Sequence, residues 1–219
     1  MDWILDAIRL LAKGGYVMVP LLVCSVVSVT VLIERYIKIR RAHVDVSETI
    51  HRAHEAIYAG NHNKALMLLE AEEVPVTRVL AAGLRNRHLG ERCAERAMEE
   101  RGTREASYLT RHLGMLDTII TIAPLLGLLG TVTGMISAFH VMAAKEGIST
   151  PTAITGGVAE ALVATATGLA IAIFTLVGHN HLQDKIKHMV ADMEARGSAM
   201  VNLLSEVGED SHEVKSLSA

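Results

Sequence analysis

Aromatic side chains are scarce: one Trp, four Tyr and two Phe make up 3% of a 219-residue chain that is 50% hydrophobic. The mean hydropathy of +0.32 is high for a water-soluble domain. Charged residues still reach 21%, so the apolar content must be gathered into blocks and is not an ordinary core. Cysteine is also nearly absent. Cys24 lies in an apolar run and Cys93 in a charged one, which excludes a disulfide framework or a cysteine metal site and leaves both as structural residues. The net charge of −3 provides no global basic field, so nucleic acid is not an expected partner. Hydrolase signatures are missing too, since neither G-x-S-x-G nor H-E-x-x-H occurs, and Ser25, Ser28 and Ser137 have no base within their runs. His54-Glu55 is followed by Tyr58 where a zincin needs its second histidine. His51/His54 and His179/His181 have no cysteine or carboxylate constellation around them and read as surface residues. No catalytic residue, metal or cofactor is therefore expected.

Long uncharged runs are what the chain does have. Tyr16 to Ile33 carries no charge and stops abruptly at Glu34, Arg35, Lys38, Arg40 and Arg41. Its length approaches the roughly 20 residues that cross about 30 Å of hydrocarbon. Asp2 and Asp6 stand where a signal peptide has basic residues, and no A-x-A site precedes Arg35, so this run is expected to remain as an anchor. A second run lies between Asp117 and Lys145, and from Gly147 to Gly178 the only acidic or basic side chain is Glu160. Gly147 and Pro151 break the short connection between these two spans.

Lysine and arginine set the expected topology. The segment from Glu34 to Arg111 is studded with arginine, and the tail carries Lys185, Lys187 and Arg196, which assigns both to the cytoplasm. The divisions that follow are an outer-side amphipathic segment 1–15, a span 16–33, a helical cytoplasmic domain 34–114, a span 115–142, an outer-side turn 143–154, a span 155–178 and a helical cytoplasmic tail 179–219. The fold class is all-α: an integral, multi-pass membrane protein with its N-terminus outside and its C-terminus inside. Trp3, Ile4, Ala7, Ile8, Leu10 and Leu11 oppose Asp2, Asp6 and Arg9, a pattern suited to a helix lying on the outer surface of the bilayer.

Within the cytoplasmic domain, Asp45-x-x-Glu48 predicts a capping box opening a helix that ends at Gly60. A second short helix is expected over Asn61 to Glu73. From Val76 to Arg111 no proline interrupts dense Glu and Arg, which predicts a solvated helix continuing into the second span.

Two small-residue faces stand out in the membrane. Gly127, Gly130, Thr131 and Gly134 lie along one side of the second span, and the third is rich in Gly157, Ala161, Ala164, Thr165, Thr167 and Gly168. Small residues let helices approach closely. At 100° per residue, Glu160, Ala164 and Thr167 share a face, whereas Thr165 lies about 140° from Glu160. A carboxylate in hydrocarbon costs on the order of 2.5 kcal/mol or more, so Glu160 is the candidate proton site. The alternative is that it sits near the outer interface, hydrated, a few residues past Pro151.

Ile122-Ala-Pro-Leu-Leu-Gly-Leu-Leu-Gly-Thr-Val-Thr-Gly-Met-Ile136 and Gly157-Val-Ala-Glu-Ala-Leu-Val-Ala-Thr-Ala-Thr-Gly-Leu-Ala-Ile-Ala-Ile173 resemble the span-two and span-three motifs of the MotA/TolQ/ExbB proton channel family, and ExbB-like and TolQ-like members look nearer than four-span MotA. The resemblance implies a homo-oligomeric ring, pentameric in the family, in the bacterial inner membrane. That ring would enclose helices of an ExbD/TolR-like single-span partner and work on a TonB/TolA-like transducer. It further implies that the essential proton-accepting aspartate belongs to the partner, while Thr131, Thr165 and Glu160 line or flank the route. Two departures stand out: Phe174 occupies a position where relatives usually have proline, and His179-Asn180 replaces an aromatic residue before asparagine. ExbB-like energising of import, a TolQ-like envelope role and a non-conducting scaffold remain alternatives, as does sodium in place of the proton.

Overall fold

Backbone polar groups in a lipid interior have no water to bond, so apolar blocks that cross it must do so as helices whose bonds close within the segment. That requirement overrides the β-branched valines of the first block. In a computed structural model describing residues 15–144 and 151–217, Met18–Ala42 is a helix, α1. It is followed by α2 Ser47–Tyr58, α3 His62–Ala71, α4 Pro75–Asn86, a 3-10 turn Arg87–Leu89, α5 Glu91–Thr110, α6 Leu113–Ala144 and α7 Pro151–Leu217. No strand occurs among the described residues, and three helices are long and apolar enough to cross a membrane. The amphipathic segment expected over residues 1–14 and most of the expected outer-side turn lie outside the described residues.

The chain divides into two units, Met1–Arg35 with His112–His181, and Tyr36–Arg111 with Leu182–Ala219. In the first, α1, α6 and α7 meet around Val17, Met18, Leu21, Ile119, Ala123, Ala164 and Ala172. Val19, Val26, Leu125, Leu128, Phe139, Leu162, Ile173 and Phe174 point outward, a surface that needs lipid or neighbouring helices to cover it. Pro124 sits inside α6, where it removes one helical hydrogen bond. At the end of this unit reached by the last residues of α1, Arg35 is buried, and its guanidinium lies 3.1 Å from His112 Nδ1 and 3.4 Å from Glu34 Oε1. His112 holds a left-handed φ of 66°, a conformation unfavourable for a residue with a Cβ. That residue ends the chain's helical run between α5 and α6.

In the second unit, Gly60 closes α2 with φ of 73°. Its N–H donates to Ile57 O, and that of Asn61 donates to Ala56 O, the paired bonds of a glycine C-cap. Asn61 then caps α3, accepting from the Lys64 N–H at 3.1 Å. The helix start differs from expectation. Asp45 accepts from the Ser47 N–H at 3.0 Å, while Val46 occupies the cap position without a side-chain bond; a local Asx turn wins over the capping box. The expected unbroken helix from Val76 into the second span is also corrected, because Gly90 (φ 98°) and His112 (φ 66°) each turn the chain out of helical geometry. Nor is its first part solvated: Val76, Thr77, Val79, Leu80, Gly83 and Leu84 are buried, and a methyl at Gly83 would stand 2.5 Å from Met98 Sδ. Alternation of Glu and Arg in α5 masked this, since α4 carries few charges of its own. Along α7, Leu182, Ile186, Met189, Met193, Gly197 and Met200 are buried at three- and four-residue intervals.

Glu105 is buried between Arg101, 2.7 Å away, and Arg78, 3.7 Å away. Glu105→Ala leaves two cations facing a vacated site. Because both arginines retain contact with water, the expected loss is about 1–3 kcal/mol, measurable as earlier thermal unfolding of the second unit's helices by circular dichroism. His54 gives a pH dependence. Burial first, then His51 and Arg196, hold its imidazole below the ordinary 6.5. The folded unit takes up a proton on His54 less readily than the unfolded chain, so this contribution to stability falls as pH drops below 6.5. Melting followed across that range should show a shallower acid slope in His54→Gln.

Candidate functional site: the α6–α7 seam and its polar residues

Two antiparallel helices normally keep their axes apart by the width of their side chains. Here the sequence supplies almost none. A methyl at Gly127 would stand 3.0 Å from Thr165 Cα, one at Gly134 2.9 Å from Ala161 Cβ, and one at Gly157 3.0 Å from Ala138 Cβ. At Gly130 it would stand 2.6 Å from Ala164 Cβ, and at Gly168 it would run into the Ala123 carbonyl oxygen. The seam from Ala123 to Ala138 thus runs about 22 Å along α6, at 1.5 Å per residue. Over that length the two backbones are in direct contact.

Thr165 lies on the seam, donating its hydroxyl proton to Gly127 O at 2.8 Å. Thr131 does not share that arrangement; it donates to Leu128 O of its own helix at 2.6 Å. With both protons committed to backbone carbonyls, each hydroxyl offers only acceptor lone pairs to anything that passes. Thr167 likewise donates to Val163 O at 2.8 Å, and the fully buried Thr175 to Ile171 O at 2.7 Å. Thr165 and Glu160 face different neighbours, as the helical wheel requires: the first meets α6, the second the start of α1.

Glu160 is half-buried, and its Oε1 lies where a side chain on Gly15 would have to go. Gly15 has a φ of 69° and accepts the Met18 N–H at 3.1 Å, opening the first turn of α1. The carboxylate therefore sits level with the start of α1, at the positive end of that helix. At the opposite end of the bundle, a methyl on Gly178 would stand 2.7 Å from Leu32 Cδ2. There His179, expected at the surface, is instead 5% exposed, its Nε2 3.4 Å from Asp117 Oδ1 on α6. The sequence did hold a hint: His179 falls one residue past the third apolar run, and Asp117 is the charge that opens the second.

Residues 71–195 match the MotA/TolQ/ExbB proton channel family, more than half the chain and the whole of the seam. The chain is 32% identical over 203 residues to the biopolymer transport protein ExbB-like 1 of Synechocystis sp., covering 92% of this chain and 80% of that one. It is 32% identical over 162 residues to the biopolymer transport protein exbB1 of Vibrio cholerae, covering 73% and 71%. A Tol-Pal system protein TolQ of Haemophilus influenzae is 36% identical over 98 residues, covering 44% and 42%.

The seam makes a sharp contrast between glycines. Gly168→Ala drives a methyl into a backbone carbonyl, whereas nothing lies within 4 Å of a methyl added at Gly156. Overpacking of this kind costs about 1–3 kcal/mol. Gly168→Ala should lower the yield and melting temperature of the detergent-purified protein, and Gly156→Ala should leave both unchanged.

Proposed function

The chain belongs to the MotA/TolQ/ExbB proton channel family, and from that membership we propose that it is the ring subunit of an inner-membrane, proton-driven motor energising transport across the cell envelope. Its partner would be an ExbD/TolR-like single-span protein whose carboxylate carries the proton within the ring, with a TonB/TolA-like transducer receiving the work. The arginine-rich segment and the basic tail favour a cytoplasmic C-terminus and a periplasmic N-terminus. The matches over 203 and 162 residues to ExbB-like 1 and exbB1, against 98 residues to TolQ, support the import-energising role over the Tol-Pal one.

The observation that carries this reading is Glu160, the lone acidic or basic side chain between Gly147 and Gly178, lodged against Gly15. Its position beside the start of α1 favours a role at the mouth of the route, where it draws protons toward the partner's carboxylate. Thr131 and Thr165 serve as fixed acceptors along the wall. A proton falling through 100 mV releases about 2.3 kcal/mol, too little to move an inner helix unless the ring holds it in discrete positions. The seam supplies stiffness for that, because two backbones in contact cannot slide without collision.

Reconstituting the ring with its single-span partner in liposomes and measuring pH-driven proton uptake tests the proposal. Wild type should conduct, and Glu160→Ala should lower flux roughly tenfold or more, about 1.4 kcal/mol in barrier, with the complex intact. A wild-type complex that assembles and conducts no ion would leave the scaffold reading. Full flux in Glu160→Ala would remove this residue from the mechanism.

A further inference from the structure

Glu160 and His179 are nineteen residues apart on α7, about 28 Å at 1.5 Å per residue, close to the roughly 30 Å thickness of a bilayer's hydrocarbon. Glu160 marks the end where α1 begins. His179 marks the end where Leu32 packs on Gly178. A buried imidazole is costly when charged and alone, and His179 is not alone: its Nε2 lies 3.4 Å from Asp117 Oδ1. The two partners differ in access, His179 side chain being 6% exposed and Asp117 65% exposed. A proton held on the ring is thus shielded from water on one side and connected to it through the carboxylate on the other.

We infer that His179 and Asp117 form the proton-releasing pair of the route, at the end of the bundle opposite Glu160. This rests on the proposed proton-motor function. A neutral His179 takes a proton from the partner's carboxylic acid at its free ring nitrogen, leaving carboxylate behind. The resulting imidazolium is balanced by the Asp117 carboxylate. Loss of the Nε2 proton to water beside Asp117 leaves the neutral ring as its other tautomer, and exchange of the proton between the two nitrogens resets the pair. Asp117 is the charged group that α6 presents to His179; α1 presents Leu32 at this level, and its Glu34 and Arg35 gather around His112. On α7 itself, the exposed His181 lies two residues on and Thr175 lies one turn back, bonded to Ile171 O.

Two measurements on the full-length ring with its partner decide the matter. In liposomes, His179→Gln and His179→Tyr should lower proton flux about tenfold and abolish its dependence on pH in the receiving compartment between about pH 6 and pH 8. Unchanged pH dependence in both variants overturns the inference. Independently of flux, nitrogen-15 spectra of histidine-labelled wild type should show the His179 ring taking up a proton on acidification, with its Nε2 signal altered by Asp117→Asn. A ring that stays neutral throughout, or ignores Asp117→Asn, also overturns it. If the wild-type complex carries no flux, the motor function itself fails, while the nitrogen spectra still decide whether the pair binds a proton.

Discussion

Direct contact between the backbones of α6 and α7 is the constraint on which the membrane unit depends. Gly127, Gly130 and Gly134 on one helix and Gly157, Ala161, Ala164 and Gly168 on the other leave no side-chain layer between them. In lipid no hydrophobic gain favours helix association, so closeness of approach and the contacts it permits must supply the stability. Thr165 adds a polar tie across the seam by donating to Gly127 O. With the seam fixed, α1 can settle on both helices through Val17 and Leu21, and that placement fixes where Glu160 lies.

The distribution of polarity follows from the same geometry. Hydroxyls along the seam helices turn inward to backbone carbonyls, which satisfies them without water. Groups that can carry charge collect instead towards the two ends of the bundle: Glu160 and His140 at one, and Glu34, Arg35, His112, Asp117 and His179 at the other. In the proposed function, the hydroxyl-lined middle of the bundle is where the partner's carboxylate would act.

The second unit, Tyr36–Arg111 with Leu182–Ala219, obeys ordinary capping and core-packing rules. Glycine at Gly60 and asparagine at Asn61 end one helix and begin the next. A buried face on α4 and a methionine-rich stripe on α7 provide the core. Methionine tolerates irregular gaps where helices meet, and Met98 fills the close approach at Gly83.

The amino-acid sequence alone determined the three apolar helices, the seam-forming glycines, the lone carboxylate and the family resemblance, because each is written in local composition or helical spacing. It also set the 140° separation of Thr165 from Glu160, a consequence of the helix repeat. Which neighbour each of these residues faces was decided only by tertiary structure. Glu160 is level with Gly15 because α1 begins there, a relation between segments some 145 residues apart that no local pattern encodes. The breaks at Gly90 and His112 emerged for the same reason: glycine and histidine took left-handed backbone angles to turn the chain, where charge patterning pointed to a continuous helix. His179 read as a surface histidine until packing placed it beside Asp117, since burial is a property of what surrounds a residue and not of the residue itself.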